Sequence, residues 1–179
     1  MAAFEPDDLE IGAFKALLAP LVEDAPAYLD RLAAGRPFGS WAALFERSAA
    51  IALSMPAEEQ LELIDAHPRI GAPPGSVSAL SFVEQGYDAN AAGVEAEMER
   101  ARVAEELTRL NVAYEARFRF RYVIFVAGRP RAALLPLMEA ALDGDADAER
   151  QRALRDVVLI ARDRAIKTGT MPQDAPEGD

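Results

Sequence analysis

His67 is the only histidine among 179 residues, and it falls where a helical repeat, Leu61 and Ile64, meets Pro68. Proline disfavours helical backbone in the residue before it. His67 is therefore predicted at a helix C-terminus, where unpaired carbonyls favour the imidazolium form. A carboxylate close by would raise its pKa further and make it an acid or base working near neutrality. Further along, Ser81, Glu84 and Gln85 stand at i, i+3 and i+4, which places a hydroxyl, a carboxylate and an amide on one helix face. Such a face either meets a polar ligand or faces water. A lone histidine at a helix end is, in the same way, either an acid–base group or a cap.

Other chemistries lack their residues. With one histidine and no cysteine, only carboxylates remain to complete a metal site, so none is expected, and disulfides are impossible. Neither a Gly-x-Ser-x-Gly elbow nor a glycine-rich phosphate loop occurs. The net charge of −11 argues against nucleic-acid backbones and anionic membrane surfaces as partners. Arg117, Arg119, Arg121, Arg129 and Arg131 nevertheless allow a local basic patch for a small anionic ligand. No apolar run approaches the roughly 20 residues of a membrane span. The acidic start MAAFEPDDLE has no signal-peptide pattern. A cytoplasmic location is expected.

The elements that must hold these residues read as helices. Phe14, Leu17, Leu18 and Leu21 repeat at helical spacing, as do Trp41, Leu44, Phe45 and Ser48 behind a Ser40 cap. Val103, Leu107, Leu110, Tyr114 and Phe118 predict a long helix starting near Asn90. Leu134, Leu135, Met138, Ala141 and Leu142 predict another, with Pro136 in its first turns or kinking it. Asp145 or Asp147 can cap a last helix carrying Leu154, Val157, Val158, Ala161 and Ala165 inward. Ser78 can cap the helix of Ser81, after a loop from Arg69 to Ala79. Only Arg121 to Gly128 reads as extended, with no partner strand in the sequence. The expected fold is all-α: a single-domain helical bundle over residues 1–168, one short extended segment near 121–127, and a disordered tail over 169–179.

Taken together, His67-Pro68-Arg69-Ile70-Gly71, Ser81-x-x-Glu84-Gln85 and Asn111-x-x-Tyr114-x-x-x-Phe118 resemble the 2-oxo-4-hydroxy-4-carboxy-5-ureidoimidazoline (OHCU) decarboxylase family of urate breakdown. The likeness takes in Arg36-Pro37-Phe38 upstream and runs on through Tyr122 to Val126, Gly128-Arg129 and Arg164. It covers roughly residues 8 to 168.

The resemblance implies an all-helical homodimer without metal or organic cofactor. Its activity would be a lyase reaction, decarboxylation of a small ureidoimidazoline to (S)-allantoin. By position, His67 matches the catalytic histidine and Glu84 its acidic partner. Pro68, Ser81 and Gln85 match substrate-contacting positions, and Arg164 matches an arginine that holds substrate oxygens. The backbone of Tyr122, Val123, Ile124, Phe125 and Val126 matches the segment lying along the substrate ring. The chain departs from the family's frequent Phe-Gly-Phe-Pro-Phe at Phe118-Arg119-Phe120-Arg121-Tyr122, and Arg69 stands where an aspartate often follows His-Pro. Arg119 and Arg121 keep a second reading open, a non-catalytic helical domain that binds a ureide or a partner protein.

Overall fold

Ser40 accepts a hydrogen bond through Oγ from the amide of Ala43, at 3.1 Å. It thereby satisfies one of the orphan donors at the start of the helix Trp41–Ser54. Ser78 and Asp145 cap two further helices in the same way. The computed structural model describes residues 5–86 and 94–171, and among these it holds eight α-helices and no strand. The all-α expectation is met. The chain divides into two compact units, one built from residues up to Ala66 and from Leu154 onward, the other from His67–Ala153.

The first unit contains α1 (Ile11–Leu18), α2 (Pro26–Ala34), α3 (Trp41–Ser54), α4 (Ala57–Ala66) and most of α8 (Ala146–Lys167). Helix α2 packs on α1, α3 and α4. Phe14, Leu18, Tyr28, Trp41, Leu44, Leu63, Ile64, Leu154, Val157 and Ala161 are buried, each large apolar side chain contributing about 1.5–3 kcal/mol. The Arg36-Pro37-Phe38 segment is pinned by Asp7, whose carboxylate accepts from the amides of Phe38 and Gly39 at 2.8 and 2.6 Å. Residues 169–171 close against the end of α8. Met171 is buried, and its amide donates to the Ala165 carbonyl at 2.9 Å. The rest of the expected tail lies outside the described residues.

The second unit contains α5 (Ala79–Glu84), α6 (Val94–Phe118), α7 (Leu135–Ala141) and the start of α8. The predicted stripe of α6, Val103 to Phe118, is buried, and α6 packs on α7. The predicted start of α6 near Asn90 lies outside the described residues. Pro136 occupies the first turn of α7, where its missing N–H leaves no bond unmade. Asp145 caps α8, accepting from the amides of Asp147 and Ala148 at 3.0 Å. Among the described residues, no helix is long and apolar enough to cross a membrane.

Arg119, the residue after α6, has φ +68° and is exposed. Left-handed backbone at a helix end is glycine's conformation, so the departure from the family's glycine is first a matter of chain geometry. Arg119→Gly should stabilise the protein by about 1 kcal/mol, the relief of a non-glycine residue held in that region less the added freedom of the unfolded chain. A rise in the urea midpoint at constant m checks this, and an unchanged or lower midpoint would refute it.

Candidate active site

His67 directly follows α4 and is only 3% exposed. It is not a surface cap. The backbone of the loop it opens is held by side chains. Arg121 Nη1 donates to the His67 carbonyl at 3.0 Å. Gln85 Nε2 donates to the Arg69 carbonyl at 3.2 Å, and Gln85 Oε1 accepts from the Gly71 amide at 2.8 Å. Asn111 Nδ2 donates to the Ile70 carbonyl at 2.9 Å and to Leu107 of its own helix at 2.8 Å. Gly71 has φ +80°, and a β-carbon there would lie 3.0 Å from a methyl group of Leu107, so a side chain is disfavoured on two counts. The Arg69 side chain forks onto Glu115. Its guanidinium, helped by Arg121, holds the Glu115 carboxyl below the usual range.

Ser78 caps α5 as predicted, accepting from the Ser81 amide at 3.2 Å. Ser81 and Gln85 are buried and Glu84 is half-buried, so this face does not simply meet water. The amide of Gln85, matched above to a substrate contact, grips the loop after His67. Glu84 opens onto a cavity of about 670 Å³, also lined by Gln85, Glu99, Arg100, Arg129 and Arg131. Arg131 is tied back to α5, its Nε donating to the Gln85 carbonyl at 2.7 Å. Among the described residues, no group of histidine, aspartate and glutamate could hold a metal ion.

Residues 121–126 form neither helix nor strand. Buried carbonyls without a ladder need other donors, and arginines supply them. Arg152 Nη1 donates to Val123 O at 2.8 Å, Arg129 Nε to Val126 O at 2.9 Å, and Arg129 Nη2 to Phe125 O. Behind this run lies an aromatic cluster. The Tyr114 ring meets those of Phe118, Phe120 and Tyr122 at 4.5, 5.7 and 5.0 Å between centroids. Tyr114 Oη donates to Glu149 Oε2 at 2.9 Å, and Glu149 pairs with Arg152, which also lies over the Tyr122 ring. Burial, then the Glu149 charge, push the Tyr114 phenol above its ordinary pKa. Neither Glu149 nor Arg152 stood out in the sequence, because Glu-x-x-Arg on a helix is usually a surface pair.

His67, Pro68, Ser81, Glu84, Gln85 and Tyr122 to Val126 all belong to the second unit, whereas Arg164 belongs to the first. Arg164 is 1% exposed and its guanidinium has protein partners. Nη2 pairs with Glu23 Oε1 at 2.9 Å, and Nη1 donates to the carbonyls of Leu21 and Pro20 at 3.2 and 3.3 Å.

Comparison with known proteins places this arrangement. The chain is 32% identical over 147 residues to the uric acid degradation bifunctional protein PucL of Bacillus subtilis, covering 82% of this chain and 28% of that protein. It is 24% identical to a uric acid degradation bifunctional protein of Bacillus sp. (strain TB-90), of which it spans 30%. It is 28% identical to the 2-oxo-4-hydroxy-4-carboxy-5-ureidoimidazoline decarboxylase of Haloferax volcanii, over 87% of this chain and 86% of that one. The fold is similar to a crystal structure of OHCU decarboxylase in the presence of (S)-allantoin, with TM-score 0.65 and 18% identity over 85% of this chain and 96% of that one. It is also similar to (S)-allantoin synthase, with TM-score 0.62 and 17% identity over 90% of this chain and 52% of that one. The family model for OHCU decarboxylase matches residues 7–166, a span that contains every element described above from α1 to α7 and nearly all of α8, and the chain belongs to the OHCU decarboxylase family.

Proposed function

We propose that this protein is a carboxy-lyase that converts 2-oxo-4-hydroxy-4-carboxy-5-ureidoimidazoline to (S)-allantoin in urate breakdown, acting as a cytoplasmic homodimer. One observation carries the reading: within a family match over residues 7–166, the only imidazole of the chain, His67, is buried, and the resemblance assigns it the role of catalytic histidine.

The substrate carboxylate sits on a carbon that bears a hydroxyl and adjoins an imine. The carbon–carboxylate bond breaks and carbon dioxide leaves. The freed pair forms a carbon–carbon double bond while the imine pair moves onto nitrogen, which takes up a proton. The resulting enol is then protonated on the carbon bearing the ureido group, and the hydroxyl proton is lost as the ring carbonyl forms. One proton is consumed overall. The substrate supplies its own electron sink, so the reaction requires no organic cofactor. His67 is the proton carrier and Glu84 its charge partner. The backbone of Tyr122 to Val126 and the side chains of Pro68, Ser81 and Gln85 form the walls.

Handedness tests this reading. The enol carbon is planar, and solvent protonates it from either face. A proton delivered by one fixed imidazole arrives from one side. With freshly generated substrate followed by circular dichroism, the wild type should yield almost only (S)-allantoin. Glu84→Gln should be much slower, its product drifting toward the racemate as the spontaneous route overtakes it. No acceleration by the wild type would end the reading. Fast turnover to racemate would end the proton-delivery step.

A further inference from the structure

The loop that carries His67 is secured peptide by peptide. The carbonyls of His67, Arg69 and Ile70 accept from Arg121, Gln85 and Asn111 respectively. These donors come from three places: the 121–126 run, the C-terminal cap of α5 and the middle of α6. Leu107, four residues before Asn111 on α6, lies close beside Gly71. Two soft torsions separate the imidazole from its own peptide. Once that peptide is fixed, the ring has only its rotamers left.

Arg121 is the member of this clamp that holds the His67 peptide itself. Its guanidinium lies near the carboxylate of Glu115, which Arg69 grips as well.

We propose that Arg121, supported by Gln85 and Asn111, is a positioning residue for His67. It holds the peptide from which the imidazole projects and so sets where the proton is delivered. The inference rests on the decarboxylase reading for its kinetic consequence, whereas its structural consequence is independent of it. A donor that merely satisfied a buried carbonyl would affect stability. A positioning residue affects kcat at constant KM, because a displaced proton carrier binds substrate as before and reacts more slowly.

The test uses the full chain with Arg121→Met and Arg121→Lys. Arg121→Met should lower kcat about ten- to a hundredfold, the scale of an ångström-sized misplacement of a reacting group, with KM changing less than about twofold. Arg121→Lys restores a charged donor and should recover most of kcat. Should Arg121→Met fail to fold, Arg121→Gln takes its place with the same expected split. A single histidine also makes the imidazole C–H proton resonances directly identifiable by NMR. They should be sharp and single in the wild type, and broadened or doubled in Arg121→Met. Unchanged kcat with unchanged resonances overturns the proposal. So does a raised KM at constant kcat, which would make Arg121 a substrate contact, or a loss of kcat that Lys does not recover. A wild type inactive on the ureidoimidazoline, yet showing the resonance change in Arg121→Met, would remove the decarboxylase reading and leave the positioning role standing.

Discussion

His67→Ala should lose about two to four orders of magnitude in decarboxylation rate, the contribution of a positioned general acid, while keeping its fold. No other imidazole exists to substitute for it. The contact with Arg121 uses the His67 carbonyl, which alanine also has, so the loop retains its clamp and only the ring is removed. Initial rates of allantoin formation, beside a far-UV spectrum matching the wild type, measure the effect. A well-folded His67→Ala protein retaining a tenth or more of the wild-type rate would show that the proton comes from elsewhere.

Arg164→Met should be the most destabilising of the substitutions considered. The guanidinium is almost fully buried, pairs with Glu23, and collects the carbonyls of Pro20 and Leu21. Glu23 and Asp24 both have positive φ, 52° and 60°, a strained pair held beside that contact. Removing one partner of a buried ion pair costs about 3–5 kcal/mol, against a total stability of about 5–15 kcal/mol for a domain. Calorimetry should show the melting temperature falling by about ten degrees. Adding Glu23→Gln should recover part of the loss, because the stranded carboxylate is gone. A melting temperature within two degrees of the wild type would refute the structural role.

Helices were legible in this chain because their signals are local. The 3–4 spacing of Val103 to Phe118 and the caps at Ser40, Ser78 and Asp145 each depend on residues within a turn of one another. The division into two units was not legible. The change at Ala66–His67 carries no glycine- or serine-rich linker, and the change at Ala153–Leu154 falls inside a helix. His67 and the face of Ser81 and Gln85 could be found by type and spacing, but spacing left open whether they faced water, and their burial answers that. The bonds that hold the site had no signature at all. Asn111 meets Ile70 across 41 residues and Arg121 meets His67 across 54. A side chain reaching a distant carbonyl imposes no periodicity. Arg119 and Arg121 read in the sequence as equivalent departures from the family's pattern, yet one is a question of backbone conformation and the other of hydrogen bonding.

Trp41, the only tryptophan of the chain, opens α3 in the first unit and is 2% exposed. Intrinsic fluorescence is therefore a one-sided witness. Its emission shifts when water reaches the α3 core, and it has no fluorophore of its kind among residues 67–153. Fluorescence and far-UV dichroism should trace the same curve only if both units unfold as one cooperative body. If the dichroism curve moves first, the second unit has melted unseen, and a sharp fluorescence transition would be no assurance that the loop around His67 was still folded.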